Sequence, residues 1–310
     1  MSDTTASLRR QISSAGELQS VVRTMKALAA SSIGQYEQSA RALGDYYRTV
    51  ELGLGACFRQ HQPDASPTDS TPKADAGAIG AIVFGSDQGL VGRFNDAVAD
   101  CAIKTLAAVT GTPKVWAVGE RVHARLSEAG LPLAGQFIVP TSVHAITRLV
   151  GQIQIDSEAG LAAGEYARVY VFHNRPKAGA LYEPVSQRLL PLDAAWQKGL
   201  AEVPWPTRSL PDVMGRGTAA LRALIREYVF ISLFRACAES LASENASRLA
   251  AMQRADKNID DLLETLHGTF HRLRQDAIDE ELFDVIAGYE ALRTPPRQPQ
   301  ASRLSKGGAQ

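Results

Sequence analysis

The sequence predicts an α/β protein in which two long terminal helices pair as an antiparallel coiled coil around an inserted, mainly parallel sheet domain. Three observations predict it. Of 15 prolines among 310 residues, none falls in 1–62, twelve fall in 63–211, none in 212–294 and three in 295–310. Proline breaks helix interiors, so the two proline-free segments read as long helices. Both carry an apolar stripe at coiled-coil spacing, and the middle alternates short β-rich runs with helical ones.

The first helix takes residues 1–62. Leu18, Val22, Met25, Ala29, Ile33, Tyr36, Ala40, Leu43, Tyr47, Val50 and Leu54 recur every three or four residues, with one four-residue stutter from Ala29 to Ile33. Such a seam needs a partner, and the stutter locally relaxes its left-handed supercoil. The stretch from Gln60 to Ala76, rich in Pro, Asp, Ser and Thr, reads as a flexible connection.

The domain over 63–211 follows. Apolar runs at 78–84 (AIGAIVF), 114–118 (KVWAV), 136–139 (QFIV) and 167–173 (ARVYVFH) read as strands, with helical spacing over 93–109, 120–129 and 142–155 between them. Alternation of this kind implies a Rossmann-like parallel sheet covered on both faces. Residues 183–190 add a strand at an antiparallel edge. The second long helix takes 212–294, where Leu221, Leu224, Tyr228 and Ile231, then Leu249, Met252, Ile259, Leu262, Leu266, Phe270 and Leu273, carry the matching stripe. As one continuous helix it would reach roughly 120 Å. The final segment, 295–310, is expected to be a disordered basic tail, with Arg297, Arg303 and Lys306 and no acid.

Charge excludes more than it identifies. The 33 basic and 33 acidic groups cancel, which argues against a strongly basic nucleic-acid binder. By segment the balance is +2 in 1–62, −1 in 63–211, −4 in 212–294 and +3 in the tail, so opposite signs meet across the expected helix pair. Cys57, Cys101 and Cys237 form no metal or disulfide spacing, which favours a reducing compartment. Neither a signal peptide nor a run of about 18 apolar residues is present, so no direct membrane insertion is expected.

Candidate chemistry is sparse. GSDQGLVGRFN, 85–95, follows the first strand, where parallel sheets bind phosphate. The spacing Gly85, Gly89, Gly92 is not GxGxxG, however, and no GK[ST] follows. A structural turn with Asp87 or Ser86 capping the next helix is the preferred reading. His267 and His271 share a helix face but lack a third metal ligand, and Asp279, Glu280 and Glu281 read as a charged surface. No catalytic constellation, cofactor site or metal site is expected.

Four segments nevertheless resemble one family. ESLASENASRLAAMQRADKNIDDLLETL, 239–266, with Glu244, Ala246, Arg248, Leu249, Ala251, Met252, Ala255 and Asn258, resembles the C-terminal helix of the gamma subunit of rotary F-type ATP synthases. LRQDAIDEELFDVIAGYEAL at 273–292, GSDQGLVGRFN and VVRTMKALAA at 21–30 are similar to three further segments of that family, in the same order. The resemblance implies a non-catalytic central-stalk rotor. Its coiled coil stands inside a ring of three alpha and three beta subunits, and its foot meets the epsilon subunit and the membrane c-ring. It implies a peripheral location on the cytoplasmic face of the cell membrane, held through the complex. It also implies that Met25 and Lys26 meet the beta-subunit lever and that Arg248, Met252, Arg274, Gln275 and Asp284 contact the catalytic ring.

Departures from the family pattern, among them Gln88, Val91, Arg93, Ser31, Ser32, Asp279 and Tyr289, suggest a divergent lineage such as the alternate N-type ATPases. Two other readings remain open at the level of sequence. One is a nucleotide-binding α/β enzyme with a coiled-coil arm, which predicts affinity near Gly85 to Gly92; the other is a self-associating coiled-coil scaffold.

Overall fold

The computed structural model describes residues 4–60, 78–178, 180–209, 211 and 217–293. Most of the expected connection, from residue 61 on, and the tail 295–310 lie outside the described residues. The elements run α1 (Thr5–Gln60), β1 (Ile79–Phe84), α2 (Phe94–Ala108), β2 (Pro113–Val118), α3 (Glu120–Glu128), β3 (Leu133–Phe137), α4 (Val143–Ala162), β4 (Arg168–Lys177), β5 (Ala180–Leu190), α5 (Ala194–Glu202) and α6 (Gly217–Arg293). The chain divides into two compact units, residues 22–255 and residues 1–21 with 256–310.

The larger unit is built on a five-stranded sheet of order β3-β2-β1-β4-β5. β1 pairs in parallel with β2 and β4, β2 with β3, and only β5 runs antiparallel, on β4. All six residues of β1 are buried, as a central strand covered on both faces requires. Ile79, Ala81 and Val83 face α2 and α3 with Val98, Ala102, Val122 and Leu126. Ile82 and Phe84 belong to the opposite core, which takes in Ile146, Val150 and Ile153 of α4. That second core also takes Tyr36, Val50 and Leu54 of α1 and Tyr228, Ile231 and Leu233 of α6, so the long helices are part of the sheet domain's packing. At about 1.5–3 kcal/mol for each fully buried large apolar side chain, this shared core fastens the helices firmly.

Within this unit the helices run antiparallel: Tyr46 donates to Glu227 at 3.0 Å, while further along α1 a Cβ on Gly53 would stand 3.2 Å from Leu224. The smaller unit shows the same sense, with Arg9 5.3 Å above the Phe270 ring and Gln19 bonded to Asp260.

Several details differ from the sequence expectation. In the smaller unit the seam of α1 runs through Leu8, Ala15 and Gln19, at 1%, 5% and 9% exposure, while Leu18 is 60% exposed. One residue step turns a helix by about 100°, and the Gln19 amide tolerates burial because Asp260 accepts from it. Leu262 likewise faces out, and Leu263 takes the half-buried place. β3 covers 133–137 rather than 136–139. As an edge strand it alternates half-buried and exposed residues instead of forming a continuous apolar run, and Ile138 beyond it is 80% exposed. α4 continues to Ala162, and α5 was not anticipated; its Leu200 carbonyl lies where a Cβ on Gly55 of α1 would come within 2.5 Å.

Candidate coupling surfaces

The glycine-rich turn after β1 is a joint between loops. Asn95 holds Ser86 twice, accepting from its N–H at 3.0 Å and donating to its hydroxyl at 2.9 Å. Asp87 accepts from the N–H of Glu120 at 3.0 Å and of Val139 at 2.9 Å, which ties together the segments that leave β2 and β3. Asp87 therefore caps α3, whereas α2 has no side-chain cap. A Cβ on Gly85 would stand 2.4 Å from Val122, and Gly92 adopts a φ of 58°. Gly89 has only the Arg121 guanidinium near it, at 3.9 Å, and its neighbour Leu90, φ 63°, is 62% exposed.

A parallel sheet offers ligands the edge where its strands end. Here that edge is occupied by α6. Ser243 donates to the Asn174 carbonyl at 3.1 Å, Ser247 to the Val91 carbonyl, and Glu239 lies 2.9 Å from the His173 ring. Side chains of one helix thus bond directly to residues at this edge of the sheet.

Two carboxylates anchor this contact. Glu239 also accepts from Arg235 Nε at 2.7 Å; burial opposes its charge, but His173 and Arg235 outweigh that and hold its carboxyl below the usual range. Glu244 pairs with Arg248 at 2.6 Å, yet its deeper burial dominates, aided by Asp87, and raises its carboxyl. The His173–Glu239–Arg235 cluster joins residues far apart in sequence and carries no local motif, so pattern reading misses it.

The residues expected to couple to a ring are distributed unevenly. Met25 and Lys26 are half-buried. Arg248 is turned inward onto Glu244, its side chain only 13% exposed. Met252, on the inner stripe of α6, is 2% exposed. Arg274, Gln275 and Asp284, by contrast, are exposed, as is every residue from Arg274 to Glu290.

That stretch of α6 has a distinctive surface. Ile278, Leu282, Val285, Tyr289 and Leu292, spaced 4, 3, 4 and 3, are 53%, 56%, 70%, 60% and 89% exposed. This is the seam periodicity continued onto solvent. A single helix of under 20 residues is marginal in water, and an exposed apolar stripe of this kind marks a contact surface. Among the described residues no group of three or more His, Cys, Asp or Glu side chains could hold a metal ion, and no helix is long and apolar enough to cross a membrane.

A family model described as ATP synthase matches residues 4–292. The chain belongs to the ATP synthase family. Similar family members include the ATP synthase gamma chain of Desulforudis audaxviator, 29% identical over 299 residues, covering 92% of this chain and 97% of the relative. The gamma chain of Aromatoleum aromaticum is 24% identical over 289 residues, covering 92% and 98%. Among solved structures, a chain of the Euglena gracilis mitochondrial ATP synthase OSCP/F1/c-ring assembly in rotational state 3 superposes with a TM-score of 0.65 at 15% identity, covering 97% of this chain and 99% of that one. A chain from the rotor of the same enzyme gives 0.59 at 16% identity, covering 88% and 98%. These two share the fold of the family.

Proposed function

We infer that this chain is the central-stalk rotor subunit of an ATP synthase: non-catalytic, surrounded by the alpha and beta subunits of the catalytic ring and seated on the membrane c-ring. It couples ion flow to ATP synthesis or hydrolysis. The observation that carries this is the family match over residues 4–292, which takes in both long helices and the sheet domain together. The exposed apolar positions Ile278, Leu282 and Val285 of α6 support it, because among the described residues their side chains stay open to solvent.

An asymmetric shaft inside a ring of like subunits touches each differently, and differential contact is what biases conformational states. Arg274, Gln275 and Asp284 are the contact positions best supported by exposure. Met25 and Lys26 are proposed at the beta-subunit lever, with Arg248 acting through Glu244. We place the epsilon subunit on the sheet domain and the complex on the cytoplasmic face of the cell membrane. The division into 1–62, 63–211, 212–294 and a 295–310 tail is retained as the functional one, and the sequence departures support a divergent, N-type lineage.

Affinity purification of the tagged native protein, with an ATPase assay of the eluate, tests the reading. Stoichiometric alpha and beta subunits with ATPase activity are expected. Their absence after gentle extraction would overturn it, and nucleotide affinity in the isolated chain would favour the enzyme reading instead.

A further inference from the structure

We propose that His267 and His271, on an exposed face of α6, chelate one divalent transition-metal ion of the imidazole-binding class: Zn2+, Ni2+ or Cu2+. Residues four apart on a helix stand one turn from each other on the same side, with Cβ atoms about 5–6 Å apart. Both side chains are exposed, and their rings stack 26° from parallel with centroids 6.5 Å apart. An imidazole nitrogen binds such an ion at about 2.0–2.1 Å. A small inward turn of the two surface side chains therefore brings one nitrogen of each ring to a shared ion. Such binding is independent of the rotor role.

The surroundings brace the pair and keep it open. Phe270 meets the His271 ring edge-on, at 5.8 Å and 67°, and the Arg9 guanidinium lies 5.3 Å above the Phe270 ring. One imidazole thus rests on a side chain anchored to α1, which reduces the freedom it loses on taking up a metal. Gly268, between the histidines, presents no side chain, and nothing lies within 4 Å of where its Cβ would stand. That leaves space for the waters that complete the coordination shell. Among the described residues no group of three or more His, Cys, Asp or Glu side chains could hold a metal, so a two-histidine site is an exchangeable one rather than a closed structural centre.

Charge leaves the choice of ion to the nitrogen ligands. Glu264, one turn before His267, favours any cation, and Arg274, one turn after His271, opposes it. Arg272 turns to the Thr269 hydroxyl, 3.4 Å away. With these charges near balance, oxygen-seeking Mg2+ and Ca2+ find no cage of carboxylates, whereas imidazole suits Zn2+, Ni2+ and Cu2+, with Cu2+ the tightest of the three. Among the described residues no other two histidines stand four apart: His144 is exposed but single, and His173 Nε2 is committed to Glu239.

The test uses the untagged full chain. Calorimetric titration with ZnCl2, NiCl2 and CuCl2, against MgCl2, should show one ion per chain, held most tightly for Cu2+, with no uptake of Mg2+. With 15N-labelled histidine, Zn2+ should shift the ring nitrogens of His267 and His271 together and leave those of His144 in place. His267→Ala and His271→Ala should each weaken binding at least about tenfold, because the second ligand of a chelate acts at high effective concentration, while His144→Ala should not. His271→Ala with Arg272→His keeps the number of histidines but sets the pair five apart, on diverging sides of the helix, and should bind no better than His267→Ala. All three positions are exposed, so the variants keep the fold. Equal affinity in the parent and either single variant, or in the parent and the respaced one, would show that the ion is held elsewhere and overturn the proposal.

Discussion

Glu239 and Glu244 lie little more than one turn apart on α6, yet their carboxyls are shifted in opposite directions. With its carboxyl depressed, Glu239 contributes stability above the carboxylate range and loses it as pH falls through that range. Glu244, raised mainly by burial, favours its protonated form in the fold, so its contribution weakens as pH rises through the same range. Glu239→Gln should cost about 2 kcal/mol at neutral pH, with the deficit shrinking in acid, as a broken buried pair predicts. Glu244→Gln should lose ground to the parent as pH falls. Urea denaturation of both variants near pH 4 and pH 7 checks the signs; a common sign would show the ion pairs to be misassigned. Gly119 carries a φ of 115°, and a Cβ there would stand 2.7 Å from the Ser86 carbonyl oxygen. Gly119→Ala should therefore destabilise the protein by about 2–4 kcal/mol in denaturant titration. Arg274→Ala with Gln275→Ala should lower ATPase turnover of the complex while nucleotide binding by beta subunits stays intact; unchanged turnover would misplace the coupling role. At this scale the sequence was least legible. The turn glycines announced themselves through composition, but His173 and Glu239 meet only because the sheet brings the middle of β4 under α6.

Among the elements, the long helices were plain from the distribution of proline, since a single proline within either would have broken it. The exact seam was not: Leu18 and Gln19 compete for one inward position, and a polar residue with a partner on the facing helix wins over a leucine without one. α5 escaped notice because its nine residues carry only one buried side chain, Leu200, too few for a periodic signal. The end of α6 gives the clearest prediction at this scale. Ile278→Ser with Leu282→Ser should shift the stability of the isolated chain by no more than about 0.5 kcal/mol, because both side chains are already exposed. The same pair should reduce the amount of alpha and beta subunit that co-purifies. Equal recovery from parent and variant would show that the stripe is not a contact surface.

For the whole molecule, the proposed function rests on assembly, and deletion should separate what assembly needs from what it does not. Removing 295–310 is expected to leave complex recovery and ATPase coupling nearly intact, read by co-purification and by ion-driven ATP synthesis in vesicles; a collapse of either would give those residues a role. Fold class was legible from composition and spacing together, whereas partner surfaces were legible only through family resemblance, because an exposed apolar stripe and a buried one share the same periodicity. The seating of α6 on the sheet edge has a mechanical meaning as well. A rotating subunit transmits torque only if its shaft does not slip in its base. Ser243, Ser247 and Glu239 grip the sheet from side chains standing roughly 5 Å off the helix axis, so their bonds resist twisting with a lever arm that contacts along the axis lack. In the proposed rotor, the seat of α6 on this edge acts as a keyway.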